Sequence, residues 1–128
     1  SEGRRTSDVT RIETRPRPLG GLVAIVSRSH FDDASAAYLS RLDVSERNPC
    51  GSALKFCRIA EGRADVYPRL APTSEWDVAA GQAVLESAGG IVTAPDGGAL
   101  VYGRAAENYV IAGFAAWGDP AAARAATR

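Results

Sequence analysis

Several residue types and patterns are scarce in this 128-residue sequence, and each scarcity excludes a class of protein. The two cysteines, Cys50 and Cys57, have neither CxxC spacing nor a histidine nearby, so they indicate neither a zinc site nor a disulfide scaffold. Cysteines are normally reduced in the cytoplasm, and we expect the protein there. Peripheral attachment to the inner membrane is the alternative. No apolar run approaches the roughly 20 residues that cross a bilayer.

Charge of one sign is not in excess either, because 15 basic residues balance 15 acidic ones. A chain without net charge has no broad field to attract nucleic acid or an anionic membrane, so any phosphate binding must be local. Lysine is almost absent: Lys55 is the only one, within a Gly-Ser-x-x-Lys segment. A functional cation and a simple codon bias explain this scarcity equally well.

Methionine is missing altogether, also at position 1, and no signal peptide or lipidation motif opens the chain. The sequence therefore reads as a fragment of a longer protein. Length and a hydrophobic content of 45% predict one domain with a modest core. We predict a polar, partly disordered leading segment over residues 1–20 and one α/β domain over residues 21–128.

Apolar periodicity and turn residues predict helices that alternate with strands, which is typical of an α/β fold with a mixed sheet covered by helices. The apolar run 22–27 predicts a strand buried on both faces. Further strands are predicted at 9–13, 47–50, 64–67, 91–94, 100–102 and 109–113, with a loop at 68–74. Helices are predicted from Asp32 or Asp33 to about Leu42, over 53–61, over 78–88, and from Pro120 onward.

The stretch 75–90 is the most informative. Its small-residue helix follows Thr73 or Ser74 as the N-cap and ends at Gly89-Gly90, which places Asp77 in the first turn. A carboxylate there offsets the helix dipole by up to about 1 kcal/mol, so a purely structural role is one explanation. Presentation of the carboxylate to a ligand is the other.

Specific motifs relate the sequence to a known family. Trp76-Asp77-x-Ala79-Ala80-Gly81, followed by Gly89-Gly90, resembles the C-terminal signature of the inositol monophosphatase superfamily of magnesium-dependent, lithium-sensitive phosphomonoesterases. The segments 26–30 (VSRSH), 51–57 (GSALKFC) and 60–69 (AEGRADVYPR) are similar to the CysQ-type 3′(2′),5′-bisphosphate nucleotidases of that superfamily. The match runs in order over residues 10 to 115, which makes it more specific than any single motif.

This resemblance implies the C-terminal α/β half of the inositol monophosphatase-like sandwich, without its N-terminal metal-binding half. It implies hydrolysis of adenosine 3′,5′-bisphosphate to AMP and phosphate with Mg²⁺, in sulfate assimilation. The carboxylates of the family's Asp-Pro-x-Asp-Gly-Thr signature have no counterpart, because the only Asp-Pro is Asp119-Pro120, followed by two alanines. The resemblance therefore also implies that this chain is incomplete as an enzyme and needs the missing half as its partner.

The resemblance also assigns roles to single residues. Asp77 would ligate the metal, and Ser52, Lys55 and Arg69, with Gly51, would bind the phosphate that is not cleaved. Ser29 and His30 would lie near the adenine or ribose. Each has a plain alternative: Ser52 only caps a helix, Lys55 and Arg69 solvate a surface, and His30 is a structural hydrogen-bonding group.

Two other functions remain open. In an inositol monophosphatase the loop before Trp-Asp usually carries an acidic residue that contacts the sugar ring. Residues 67–74 contain Arg69 and no carboxylate, which favours a substrate with a second phosphate. The chain could also be a non-catalytic nucleotide-binding remnant that kept the α/β half and lost the metal half.

Overall fold

The computed structural model describes residues 12–27, 32–51, 54–100, 110–111 and 113–126, and of Leu54 and Val110 only the backbone. The helices in these ranges are Asp33–Ser40 (α1), Leu54–Ala60 (α2), Glu75–Ser87 (α3) and Pro120–Ala126 (α4). The strands are Leu22–Ser27 (β1), Val44–Cys50 (β2), Val66–Arg69 (β3), Thr73–Ser74 (β4), Ile91–Thr93 (β5), Val110–Ile111 (β6) and Phe114–Trp117 (β7). None of these helices has the length and apolar character of a membrane span.

Five of the strands form one sheet, in the order β2-β1-β3-β7-β5. β1 pairs in parallel with β2 and β3, whereas β7 runs antiparallel to both β3 and β5. A separate two-stranded sheet joins β4 to β6. The predicted α/β class, a mixed sheet flanked by helices, is therefore confirmed.

Helices cover both faces of this sheet because side chains alternate along each strand. Leu22 and Ala24 of β1 pack with α1 and α4 in one buried cluster. Ile25 points to the other face and packs with α2 and α3 in a second cluster. β1 is thus buried on both faces, as its continuous apolar run predicts.

The parallel strands end at the same edge of the sheet. Ser27 at the end of β1 pairs with Cys50 at the end of β2. Ala24 pairs in parallel with Val66, so β3, which ends at Arg69, runs toward the same edge. Arg69 in turn pairs with Phe114, the first residue of β7. Open α/β sheets bind ligands outside this carboxyl edge.

Aspartates cap the N-termini of α1 and α4. Asp32 is the N-cap of α1, where its Oδ1 accepts the Ser35 backbone N–H at 2.8 Å. Asp119 precedes α4 and its Oδ1 accepts the Ala121 N–H at 2.9 Å. α1 ends at Ser40 rather than near Leu42. Gly89, with φ of 109°, provides the predicted exit from α3, because glycine adopts this left-handed conformation without a Cβ clash.

Several strand predictions were wrong. β7, which lies between β3 and β5, was missed. The prediction instead placed a strand at 109–113, where the described residues Val110–Ile111 form β6 and Gly113 is not in a strand. β3 continues through Pro68, which the prediction had placed in a loop. Proline has no N–H to donate to a neighbouring strand, but β3 pairs with β1 at Val66 and not at Pro68, so this pairing loses no hydrogen bond. β2 begins at Val44, three residues before the predicted start. Its polar, largely exposed residues suit a strand at the edge of the sheet. The predicted strands 9–13 and 100–102 lie partly outside the described residues, and residues 12, 13 and 100 are not in strands.

An ion pair between the partly exposed Arg15 and the buried Asp65 connects the leading segment to the sheet. Asp65 is 3% exposed, and its carboxylate accepts Arg15 Nε at 2.9 Å, Arg15 Nη2 at 2.8 Å and the Val23 backbone N–H at 2.8 Å. The Arg15 interaction is bidentate, which is the strongest carboxylate geometry of arginine. Thr14 and Arg17 add backbone N–H bonds to Ala88 and Asp119. The described part of the predicted leading segment is therefore irregular in backbone but attached at several points.

Candidate functional site

A cavity of about 450 Å³ lies at the carboxyl edge of the sheet, between β3 and helices α2 and α3. It contains three of the residues that the sequence singled out, namely Lys55, Arg69 and Asp77. Its remaining lining residues are Phe56, Tyr67, Thr73, Val78, Ala80, Gly81 and Phe114. The wall is therefore largely apolar, with a few polar groups that converge, as in most small-molecule sites.

Lys55 is almost completely buried, with 7% of its surface exposed. Its Nζ donates to Ser27 Oγ at 3.3 Å and to the Tyr67 hydroxyl at 3.4 Å, both long contacts. Burial lowers the pKa of Lys55, and the positive charge of Arg69 lowers it further. An ammonium group held by two neutral oxygens is poorly compensated, since buried cations are normally paired with an anion.

Arg69 is likewise incompletely satisfied. Its Nη2 donates to the Pro72 carbonyl at 3.5 Å, and its Nε is buried without any hydrogen-bond partner. Within the described ranges neither Arg69 nor Lys55 forms an ion pair. A buried donor without a partner costs about 1 to 3 kcal/mol, so its persistence next to a second cation favours an anionic ligand.

Tyr67 stands between these two cations. It is two residues before Arg69 on β3, so both side chains lie on the same face of the sheet. Burial raises the pKa of the Tyr67 hydroxyl, whereas Arg69 beside it lowers this pKa. The ring is fixed by edge contacts with Phe56 (5.7 Å between centroids) and Phe114 (5.3 Å). The hydroxyl is therefore held in place where Lys55 donates to it.

Asp77 is the carboxylate of the cavity. α3 begins at Glu75, so Asp77 lies in its first turn, as predicted. Ser74 is the N-cap by position, but its hydroxyl makes no bond to the helix backbone and instead donates to Asp77 Oδ2 at 2.8 Å. This contact fixes the carboxylate, which is exposed and faces the cavity.

The donor set fits a magnesium ion only in part. Mg²⁺ takes about six oxygens and is usually bound by one or two carboxylates together with water and substrate phosphates. Asp77 can supply one carboxylate, and Ser74 already orients it. Across the described ranges no group of three His, Cys, Asp or Glu residues could hold a metal. Further carboxylates would have to come from residues that are not described or not in this chain.

Gly81 shapes the wall of the cavity. A Cβ at this position would lie 2.3 Å from Phe56 Cδ2, so α3 can approach α2 this closely only without a side chain there. Phe56 cannot move away easily, because it packs against Phe114 at 5.6 Å as well as Tyr67. Glycine is thus required by packing, despite its cost in a helix interior.

We therefore expect Gly81→Ala to lower the free energy of unfolding by about 1 to 3 kcal/mol, the usual cost of overpacking, even though alanine favours the helix. Urea unfolding measures this change. Gly20→Ala is the matched control, because no atom lies within 4 Å of a Cβ at Gly20. Equal stabilities of the two variants would contradict the packing explanation.

The other predicted site residues are not placed in the cavity. Ser29, His30 and Ser52 lie outside the described residues, so their roles stay predictions. Gly51 follows β2 and is not among the residues that line the cavity. Sequence reasoning missed Tyr67, although its position two residues before Arg69 on a strand could have indicated it. Phe114 could not be found, because β7 itself was missed.

A larger cavity, of about 630 Å³, lies on the opposite face of the sheet. It is lined by Tyr38 and Trp117 on the side of α1 and α4, and by two arginines and two aspartates, namely Arg17, Arg41, Asp43 and Asp96. Because these charges balance, they favour no ion of one sign. The smaller cavity is the stronger candidate, since its two cations form no ion pair with any residue that the structure describes.

Comparison with known proteins gives one consistent family. The sequence profile of the inositol monophosphatase family matches residues 4–127. The 3′(2′),5′-bisphosphate nucleotidase CysQ of Salmonella typhimurium is 44% identical over 92 residues, which is 72% of this chain and 37% of that protein. The crystal structure of CysQ from Bacteroides thetaiotaomicron superimposes with a TM-score of 0.66 at 34% identity, over 81% of this chain and 40% of the other.

An inositol monophosphatase from Zymomonas mobilis superimposes equally well, with a TM-score of 0.69 over 91% of this chain and 46% of that one, but at 20% identity it supports the fold alone. The match thus covers less than half the length of each of these three proteins. The profile match covers nearly the whole sequence, and the mixed sheet and its helices agree with the structural relatives. The chain belongs to the inositol monophosphatase family.

Proposed function

We propose that this chain is part of a magnesium-dependent 3′(2′),5′-bisphosphate nucleotidase, which hydrolyses adenosine 3′,5′-bisphosphate to AMP and phosphate. In this proposal the chain forms the nucleotide side of the active site and supplies one metal ligand, and the other half of the site comes from chain beyond this sequence. The reaction would take place in the cytoplasm, as a step of sulfate assimilation.

One observation carries the proposal: two cations, neither of which forms an ion pair with a described residue, line the same cavity as one carboxylate. A substrate with two phosphates can use such an arrangement, with one phosphate at the cations and the other toward the carboxylate. The similarity to CysQ nucleotidases at 44% and 34% identity supports the same substrate class. The absence of any acidic residue between 67 and 74 argues against a sugar hydroxyl as the main contact.

Each residue then has a separate task. Arg69 offers its unsatisfied Nε and the planar guanidinium that matches two phosphate oxygens. Lys55 adds a point charge, and the apolar wall excludes the water that would weaken both interactions. These contacts would hold the phosphate that is not cleaved and thereby orient the one that is.

Asp77 would bind the metal, with its carboxylate oriented by Ser74. A bound Mg²⁺ supplies Lewis acid chemistry, because it polarises the phosphate and lowers the pKa of a bound water. With a single carboxylate this chain would need further ligands, which is why we expect the isolated chain to lack activity.

Phosphate release from adenosine 3′,5′-bisphosphate by the complete protein, with and without Mg²⁺, tests the proposal. Inositol 1-phosphate is the competing substrate. Faster magnesium-dependent turnover of the bisphosphate would support the proposal, and preference for inositol 1-phosphate would overturn it in favour of an inositol monophosphatase. Release of phosphate by the isolated chain would contradict the assignment of missing metal ligands.

Lys55→Met keeps most of the length of the side chain and removes its charge. In the complete protein we expect the KM for adenosine 3′,5′-bisphosphate to rise about 10- to 100-fold, the value of one charged hydrogen bond. The KM for adenosine 3′-phosphate, which lacks the second phosphate, should change far less. Arg58→Met is the control, since Arg58 is an exposed cation on the same helix outside the cavity. An equal effect on both substrates would contradict the assigned role.

Binding of the nucleotide should weaken at alkaline pH. The pKa of Lys55 is lowered, so its positive charge is lost at a lower pH than the usual value of about 10.4. The ammonium form binds the anion, and therefore affinity is highest above about pH 6, where phosphate becomes a dianion, and falls as the pH rises through the pKa of Lys55. Calorimetric titrations across this range measure the effect. Lys55→Arg should remove the alkaline loss, because arginine stays charged; an unchanged profile would exclude Lys55 as its cause.

A second function is favoured by one feature: the cavity contains both cations but a single carboxylate, and no group of three possible metal ligands occurs in the described ranges. The chain could then bind nucleotides without catalysis. Calorimetry with adenosine 3′,5′-bisphosphate in the absence of Mg²⁺ separates the two functions. Micromolar binding to the isolated chain, combined with an inactive complete protein, would favour the binding module.

A further inference from the structure

Lys55 combines three properties that do not follow from phosphate binding alone. It is the only lysine of the chain, it lines a cavity with an apolar wall, and within the described ranges its amino group contacts two neutral oxygens and the face of the Tyr67 ring. Surface lysines are fully protonated near neutral pH and react slowly as nucleophiles. A lysine desolvated in an apolar pocket beside another cation is the arrangement that activates an amine toward carbonyl compounds.

We propose that Lys55 is a covalent site for phosphorylated aldehydes, which condense with its amino group while their phosphate is held by Arg69. This inference rests on the anion pocket of the proposed function, but it does not require the missing metal ligands. Occupation of the pocket in this way would block the nucleotide, so that phosphorylated aldehydes act as reversible inhibitors.

The geometry provides both halves of such a ligand site. The Tyr67 hydroxyl accepts a hydrogen bond from Lys55 Nζ, and Arg69 beside it lowers the pKa of the same hydroxyl. The amine and the guanidinium therefore lie close together. Arg69 still has its unsatisfied Nε for a phosphate oxygen. The rings of Phe56 and Phe114 form the apolar wall against which an aromatic aldehyde can lie.

The chemical step is a condensation that needs no oxidant or reductant. The neutral amine of Lys55 attacks the aldehyde carbon, a C–N bond forms, and one proton passes from the nitrogen to the former carbonyl oxygen. The resulting carbinolamine loses water, and a C=N bond remains between Nζ and the former aldehyde carbon. The Tyr67 hydroxyl can donate the proton with which the oxygen leaves, and it recovers a proton from the nitrogen as the C=N bond forms. Hydrolysis reverses every step, so the adduct is in equilibrium with the free aldehyde.

The fraction of neutral amine explains why this lysine is suited to the reaction. Burial and the charge of Arg69 lower the pKa of Lys55, so more of the unprotonated form is present near neutral pH than in an exposed lysine. Adduct formation should therefore increase with pH, in the opposite sense to nucleotide binding. The titratable and charged groups near Lys55 are Tyr67 and Arg69 from β3 and Cys50 from β2, and Asp77 from α3 lines the same cavity.

Pyridoxal 5′-phosphate is the probe, because it carries an aldehyde beside a phosphate. The chain is incubated with it, the imine is reduced with borohydride, and the adduct is located by intact mass and peptide mapping. Pyridoxal without phosphate is the matched ligand, and the α-amino group of the chain is an internal control for an amine outside the pocket. We expect one adduct at Lys55, formed with the phosphorylated aldehyde about tenfold or more better than with pyridoxal, since a charged hydrogen bond to phosphate contributes that factor.

Two variants make the test independent of folding defects. Lys55→Arg should lose the adduct while the α-amino group still reacts, and Arg69→Gln should keep an adduct but lose the preference for the phosphorylated aldehyde. Reaction only at the α-amino group, or equal reaction with both aldehydes, would overturn the proposal.

Protection experiments separate this proposal from the nucleotidase function. Loss of the adduct on addition of adenosine 3′,5′-bisphosphate would support both. A phosphate-dependent adduct that the nucleotide does not prevent would support the covalent site and count against the nucleotide as substrate. Nucleotide binding by calorimetry without any Lys55 adduct would overturn the covalent site and leave the nucleotidase proposal standing.

Discussion

Asp77→Asn in the complete protein should lower kcat for phosphate release about 100-fold or more. Asparagine keeps the size of the side chain and can still accept the Ser74 hydroxyl, but it removes the charge that a metal ligand needs. A catalytic metal contributes several kcal/mol of transition-state stabilisation, and each 1.36 kcal/mol corresponds to a tenfold rate. Steady-state kinetics at saturating Mg²⁺ measure the change, and Mg²⁺ titration should show weaker binding of the metal.

The matched control is Glu75→Gln, which removes another carboxylate from the first turn of the same helix. Glu75 is not among the residues that line the cavity. If Asp77 only offsets the helix dipole, both variants should lose at most about 1 kcal/mol of stability and both should remain active. An active Asp77→Asn protein would thus show that Asp77 has a structural role, and the proposal would lose its metal ligand.

Arg15→Met should destabilise the chain by about 3 kcal/mol, because it leaves the carboxylate of Asp65 buried with one backbone N–H as its remaining partner. This is a large part of the 5 to 15 kcal/mol that typical domains possess. Urea or thermal unfolding of the variant gives the value. The double variant Arg15→Met/Asp65→Asn should recover part of it, since a neutral amide still accepts the Val23 N–H without a buried charge.

Arg63→Met is the control for the loss of an arginine as such. Arg63 lies 3.7 Å from Glu61, with side chains that are 69% and 42% exposed. Exposed pairs of this kind contribute about 0 to 1 kcal/mol, so little change is expected. If Arg15→Met were no more destabilising than Arg63→Met, the bidentate pair would not be a major source of stability.

Much of the fold could be predicted from the sequence, because the relevant signals are local. The apolar run of β1, Asp32 and Asp119 as capping residues, and Gly89 as the exit of α3 all act within a few residues. β7 could not be predicted from its own residues. Phe114–Trp117 is short and alanine-rich, and it becomes a central strand only through pairing with β3 and β5, which are distant in the chain.

The candidate site likewise combines features that the sequence indicates with features that depend on how distant parts of the chain pack. Lys55, Arg69 and Asp77 were identified by motif, yet the motif does not say that they share one cavity. Their proximity results from the packing of α2 and α3 against β3 and β7, at the edge where Arg69 pairs with Phe114. The burial of Lys55 and the missing partner of Arg69 Nε are products of packing, so no sequence pattern could have indicated them.

The two edges of the sheet bear on how the protein avoids aggregation. An open strand edge is a template for strands of other molecules, and it is blunted by charge, by proline or by being short. β2, at one edge, carries Glu46, Arg47 and Pro49, and β5, at the other, has only three residues. Over the described ranges, sheet extension between copies is therefore disfavoured at both ends, and any ordered self-assembly would have to use the helical layers.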